Sequence, residues 1–247
     1  MPDVIVQPAL REPAGRVVDA GRAIAWLTEG WKSFMAAPAV WVGITVVLVV
    51  IVALMSMVPV VGGLAQAFLF PVFIGGLMMG CRAQEAGEPL AFETLFAGFR
   101  RGTNGLLTVG IISFAGTAAI VLVLVLVGGG GVAVGALLGG ADGFGAGATV
   151  ALGSLLIASL LALALLVPLT MAVWFAPPLV ALGGQSAGVA LRASFTACLK
   201  NWLPFLVYGV LTFVLMFIAV LPVGLGLLVL IPVLVGSLHA SYKDIFE

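Results

Sequence analysis

The ten basic side chains of this 247-residue chain fall into four places only: before residue 33, at 82–101, at 192–200, and at Lys243. Long uncharged stretches run between those places, so the spacing of charge constrains the architecture before any motif does. An apolar run of about 18 residues reads as a membrane-spanning helix, because a helix satisfies its own backbone where water is absent. A barrel is excluded, since the runs are too long and lack polar alternation. From Val40 to Val58 twelve residues are Val, Ile or Leu and none is charged. They contribute roughly −4 to −7 kcal/mol of insertion free energy, against about +3 for one central charge. Insertion wins.

Six spans follow, at about Ala39–Val58, Val60–Cys81, Asn104–Val127, Thr149–Phe175, Leu203–Leu221 and Val223–Ala240. With this count, the connections at Met57–Gly63, Gly128–Ala148 and Leu221–Gly226 share one side, where the only charge is Asp142. The other side holds Arg11, Arg16, Arg22, Lys32, Arg82, Arg100, Arg101, Arg192, Lys200 and Lys243. Positive loops stay cytoplasmic, which puts both termini in the cytoplasm. The first 22 residues are polar, with no cleavable signal, so the N-terminus is expected to be retained. Cys81 and Cys198 fall beside basic clusters and are expected as free structural thiols in a reducing compartment. Zero net charge gives no reason to expect nucleic acid as a partner.

The last third of the chain resembles the first. Pro71, Gly75 and Leu77 in the second span line up with Pro232, Gly236 and Leu238 in the sixth, while Pro168 and Ala172 take the corresponding places in the fourth. Each hairpin follows an amphipathic stretch: Ile24, Leu27, Trp31 and Phe34; then Phe92, Leu95, Phe96 and Phe99; then Leu191, Phe195, Cys198 and Trp202. Spacings of three and four put each set on one helical face. The expected fold is an all-α integral membrane protein: six transmembrane helices as three hairpins, each preceded by a cytoplasmic interfacial amphipathic helix. It forms one domain, 1–247, with a polar segment 1–22 and repeat-like units at about 17–82, 88–182 and 186–243. Such helices lie in the headgroup layer either as elbows for the hairpins or as recognition elements for lipid. The candidate lipid-interface residues are Trp31, Phe34, Phe96, Phe99, Arg100, Arg101, Phe195, Lys200 and Trp202. Pro71, Pro168 and Pro232 are candidate helix kinks, as packing features or as the walls of a pocket.

Gly128–Gly147 holds ten glycines in twenty residues, with Gly131, Gly135, Gly139, Gly143 and Gly147 at intervals of four. Helical, it would permit very close contact; the cost of glycine in a helix, about 1 kcal/mol each, favours a mobile periplasmic connection instead. It lacks the Lys-Ser or Lys-Thr of a phosphate loop. Catalytic chemistry finds little to work with. His239 is the only histidine and reads as a helix-end or interface residue. Glu85, Glu88 and Glu93 read as helix initiation, with Pro89 opening a helix, and Ser186 reads as an N-cap. No ionisable residue sits at a span centre, which disfavours coupled transport. Gln66, Ser113, Thr117, Ser154, Ser159 and Thr170 are expected to bond their own or neighbouring backbone.

Three segments carry a resemblance: Gly30 to Phe34 (Gly, Trp, Lys, Ser, Phe), Leu95 to Phe99 (Leu, Phe, Ala, Gly, Phe), and Ala240 to Phe246 (Ala, Ser, Tyr, Lys, Asp, Ile, Phe). With them the chain resembles the uncharacterised proteobacterial polytopic inner-membrane proteins over nearly its whole length. It is also distantly similar to the membrane domain that accompanies bacterial glycerophosphodiester phosphodiesterases. No phosphodiesterase domain is present, so that activity does not carry over. The resemblance implies an inner-membrane location and a link to membrane or envelope lipids. The expectation is a non-enzymatic protein, without metal or cofactor, that binds membrane lipids, a second copy of itself or a membrane protein partner. The alternative is an uncoupled transporter or channel for an apolar or amphiphilic solute.

Overall fold

The computed structural model describes residues 15–138 and 144–247; Arg11, Asp142 and the middle of the glycine tract lie outside them. Every regular element among the described residues is helical. Helix α1 (Arg22–Ala36) leads into α2 (Pro38–Ser56), and α3 (Val61–Glu85) returns. A 3-10 helix, Phe92–Phe99, precedes α4 (Thr103–Leu124), which continues through a π turn, Val125–Gly129, into α5 (Gly130–Leu138). Next come α6 (Phe144–Trp174), α7 (Ala176–Ala181), α8 (Ala187–Lys200), α9 (Trp202–Val220) and α10 (Leu227–Phe246). Six segments are long and apolar enough to cross a membrane: Pro38–Ser56, Val61–Glu85, Thr103–Leu138, Gly145–Ala181, Trp202–Val220 and Leu227–Phe246.

The core sits on α3 and α10, the two spans with the most buried surface. The short helices hold them in a cyclic order. α1, ahead of the first hairpin, lies on α10 of the third; the 3-10 helix, ahead of the second hairpin, lies on α3 of the first; α8, ahead of the third, lies on α6 of the second. Each contact places one small residue over a carbonyl and the amide four residues on. A Cβ at Gly30 would stand 2.2 Å from the Val233 oxygen and 2.8 Å from the Ser237 nitrogen. At Gly98 the distances are 2.1 Å to the Val72 oxygen and 3.1 Å to the Gly76 nitrogen. Ser194 fills the third position with a hydroxyl, which accepts from the Phe175 amide (2.9 Å) and donates to the Met171 carbonyl (2.6 Å). That hydroxyl stands in for a backbone bond where α6 ends and α7 begins. Val72 and Val233 follow Pro71 and Pro232 directly, whereas Met171 lies three residues after Pro168. By these contacts Thr170, and not Pro168, stands directly ahead of the contacted carbonyl, as Pro71 and Pro232 do in their helices.

Pro71, Pro168 and Pro232 all lie inside their helices. Pro71 cannot donate to the Ala67 carbonyl, and Gly110 of α4 packs against that carbonyl and its neighbour: a Cβ there would lie 2.9 Å from the Ala67 oxygen and 2.7 Å from the Phe68 oxygen. Close packing thus absorbs the proline at this site.

The glycine tract departs from the expected mobile connection. Gly128 to Leu138 is helical, and α6 has already begun at Phe144. Gly128 faces Ala158 and Leu155, Gly131 faces Ser154, and Gly135 faces Ala151 and the Gly147 carbonyl. Tertiary packing overrides helix propensity here, since the glycine ridge lets α5 and α6 close upon each other. The span Thr103–Leu138 has 36 residues, about 54 Å at 1.5 Å per residue. Even at a 40° tilt it exceeds a hydrocarbon core of about 30 Å by roughly 10 Å, so this hairpin stands proud of the other two.

Candidate functional site

The described basic residues gather at one end of the bundle, where the short helices pack. A polar network ties α1 to α10 there. Arg22 donates to both oxygens of Asp244 (2.6 Å each), and the buried Trp26 indole donates to the same carboxylate (2.7 Å). Arg82 pairs with Glu247 and Lys243 with Glu85, joining α3 to the end of α10. Asn201, at the α8–α9 junction, accepts from the Val18 amide (2.8 Å) and donates to the Arg16 carbonyl (3.0 Å), fastening the segment ahead of α1. α1, which carries Gly30 to Phe34, thus packs along α10, which carries Ala240 to Phe246, and the segment Leu95 to Phe99 packs on α3. Gly30, Phe34, Leu95, Gly98, Tyr242 and Ile245 of these segments are buried packing contacts.

Burial redistributes the aromatic stripes. α1 buries Ala23, Trp26, Gly30 and Phe34, while Ile24, Trp31 and Met35 stay exposed. Phe34 was a candidate for lipid contact; at 6% exposure it belongs instead to the buried cluster with Trp41, Ile44, Phe73 and Leu77. Gly30 causes this, because it brings the Phe34 side of α1 down onto α10. Trp31 (48% exposed), Trp202 (58%), Phe96 (43%) and Phe99 (39%) keep open surface. Phe195 is half-buried, and Arg100, Arg101 and Lys200 are exposed. Phe96 and Phe99 are anchored edge-on against Phe73 at 6.3 and 5.4 Å between ring centres. Pro89 does not open a helix: the turn begins at Phe92 and winds as a 3-10 helix, tight enough to seat Gly98 on α3. Glu85 ends α3 in an ion pair rather than starting a helix. Ser186 occupies an N-cap position, but its side chain makes no capping bond.

Two clefts open among these elements. One, of about 400 Å3 between α1, α3 and α10, is lined by Arg22, Lys32, Glu85, Lys243, Asp244 and His239, among others. Its charges are matched, since Arg22, Lys32 and Lys243 each pair with an acid. Sequence reasoning placed His239 at a helix end; it is in fact buried, and its Nε2 has no hydrogen-bond partner among the described residues. Nothing in a lone histidine signals that burial. The second cleft, of about 620 Å3, lies between the end of α3, the 3-10 helix and α7, and it is lined by Arg82, Glu88, Glu93, Arg100 and Arg101.

Both cysteines are free and buried. Burial pushes the Cys198 thiol up to about 12, against a smaller opposing effect from the Ser194 hydroxyl, which leaves it a poor nucleophile. Five of the six span polar groups are occupied: Gln66 donates to the Val52 carbonyl and the Ser56 hydroxyl, and Thr117, Ser154, Ser159 and Thr170 bond carbonyls of their own helices.

Comparison with known proteins finds a probable inner membrane protein of Burkholderia thailandensis, 33% identical over 228 residues, which cover 90% of this chain and 82% of that protein. No family model matches the chain, and no solved structure matches it.

Proposed function

Since the chain belongs to the family of that Burkholderia inner membrane protein and is itself a multipass inner-membrane protein, we propose that it is non-enzymatic and binds lipid at the basic end of its bundle, in support of membrane or envelope homeostasis. The observation that carries this reading is the pairing there of half-exposed aromatics, Trp31, Phe96, Phe99 and Trp202, with cations. Aromatics of that kind sit at headgroup depth and cations reach phosphate. The ten-to-zero charge asymmetry supports a cytoplasmic location for this end and for both termini. The three equivalent contacts at Gly30, Gly98 and Ser194 support an internal threefold repeat, closed into a ring by α1 on α10.

The test is native mass spectrometry of protein extracted gently with its surrounding lipid, for the wild type and for a variant with Trp31, Phe96 and Phe99 all changed to Ser. A stoichiometric lipid that the variant loses supports the reading. Equal retention by both proteins removes its main support, and a fixed oligomer or a bound protein in place of lipid moves the role to partner binding. One observation favours an uncoupled pathway for an apolar solute: a recess of about 410 Å3 lies against Pro71, lined by Val52, Met55, Phe70 and Val173 together with Gln66 and Ser113. Water-accessible labelling of cysteines placed at Gly75, Ala172 and Gly236 would support that alternative, and blocked labelling would count against it.

A further inference from the structure

The 620 Å3 cleft differs from its neighbour in how its charges are matched. Arg82 is taken by Glu247. The other four charged side chains that line the cleft, Arg100, Arg101, Glu88 and Glu93, form no ion pair among the described residues, and all four are exposed. Two guanidinium groups and two carboxylates share one opening without neutralising each other. Gly102 turns the chain directly after the arginines with φ of +73°, a left-handed conformation that glycine adopts freely, and α4 enters the apolar layer from there. The arginines therefore stand at the depth of lipid headgroups, and the exposed edges of Phe96 and Phe99 lie within one turn of them.

The pattern of charge selects the ligand. A purely anionic headgroup would satisfy the arginines but face two carboxylates, and a cation would meet the reverse. A headgroup with one phosphate and one protonated amine answers both pairs: guanidinium forks bind phosphate oxygens, and carboxylates accept the N–H donors of an ammonium. We propose, building on the lipid-binding reading above, that this cleft holds an amine-bearing glycerophospholipid, with its phosphate at Arg100 and Arg101 and its ammonium at Glu88 and Glu93. Its acyl chains leave the cleft for the exposed edges of Phe96 and Phe99, which lie beside the opening and do not line it.

The test uses the full-length protein, delipidated in detergent and offered an equimolar mixture of phosphatidylethanolamine, phosphatidylcholine and phosphatidylglycerol with identical chains; bound lipid is counted by native mass spectrometry. The wild type should retain the ethanolamine lipid at least fivefold over either competitor. The choline lipid has the same charges but no N–H donor. Glu88→Gln with Glu93→Gln should bring the ethanolamine lipid to within twofold of the choline lipid, and Arg100→Gln with Arg101→Gln should lose all three. Because these side chains are exposed, the variants should elute and melt like the wild type. Retention of lipid without headgroup preference, or a preference for the glycerol lipid untouched by the glutamate changes, overturns this inference and leaves lipid binding standing. No retained lipid at all overturns both. Displacement of the lipid by an equal concentration of soluble phosphoethanolamine overturns the assignment to a lipid.

Discussion

Gly30→Ala is a one-carbon change whose cost can be worked from the geometry. The new Cβ would sit 2.2 Å from the Val233 carbonyl oxygen and 2.8 Å from the Ser237 amide nitrogen, both backbone atoms inside α10 that cannot rotate away. An unstrained C···O contact needs about 3.3 Å, so α1 has to withdraw by about 1 Å. Trp26 lies one turn away on the same face, and its 2.7 Å bond to Asp244 would stretch to about 3.7 Å, beyond hydrogen-bonding range. Overpacking costs about 1–3 kcal/mol and loss of a bond to a charged group about 1.5–3 kcal/mol. Together they come to roughly 3–5 kcal/mol, which for a chain of this length lowers Tm by roughly 6–20 °C. The assay is thermal unfolding in detergent with a thiol-reactive fluorophore, since both cysteines are buried and become reactive only on unfolding. Ile24→Ala, on the exposed face of the same helix, should move Tm by less than about 2 °C, as surface substitutions do. A Gly30→Ala shift no larger than that control would refute the claim that the α1–α10 contact is held by backbone atoms.

Ser194→Ala should cost roughly 2–4 kcal/mol, read as a fall in Tm, because it leaves the Phe175 amide and the Met171 carbonyl without the hydroxyl that joins them; an unchanged melt would mean that the helix recloses on itself at no cost. Cys198 should resist maleimide in the folded protein from pH 7 to 9 and react after unfolding, since a thiol held near 12 has almost no thiolate in that range. Labelling of the native protein within minutes at pH 8 would count against that burial. For orientation, Glu88→Cys should be protected from an impermeant thiol reagent in intact cells while Val223→Cys is labelled, on a background lacking the native cysteines. The opposite pattern would invert the assignment of the basic end to the cytoplasm.

The spans were legible because their signal is summed over many residues: Val40–Val58 has no other reading in water or in lipid. The interfaces were less so. The stripe Ile24, Leu27, Trp31 and Phe34 obeys helical spacing, yet α1 is apolar on two faces, and spacing alone does not say which face meets protein. Gly30 held that answer, since a glycine beside a large aromatic residue, here Trp31, marks a close approach, and the same reasoning applies to Gly98 beside Phe99. Ser194 could not be grouped with them from sequence, as it does by hydrogen bonding what the glycines do by being small. The glycine tract misled because helix propensity leaves out tertiary packing, and Gly128, Gly131 and Gly135 pack directly against α6. At the cleft, Arg100 and Arg101 are legible in the sequence as candidate lipid-interface residues, while Glu88 and Glu93 read there as helix initiation. Their common opening depends on how the 3-10 helix folds back onto α3.

The cyclic order of the short helices bears on why the basic end, and no other part of the bundle, is where a ligand would be held. Each second span is covered at this end by a helix that belongs to another hairpin, so the three hairpins are joined there through Gly30, Gly98 and Ser194. At the opposite end the first and third hairpins finish in short uncharged turns, where Val60 and Val223 adopt positive φ, a strained conformation for a β-branched residue. Rigid positioning is what a site with two cationic and two anionic groups requires, because a headgroup a few ångströms long discriminates only if the groups that receive its two ends keep their separation. The fold supplies that rigidity from backbone contacts beside the clefts, and so leaves the exposed charged side chains free of structural duty.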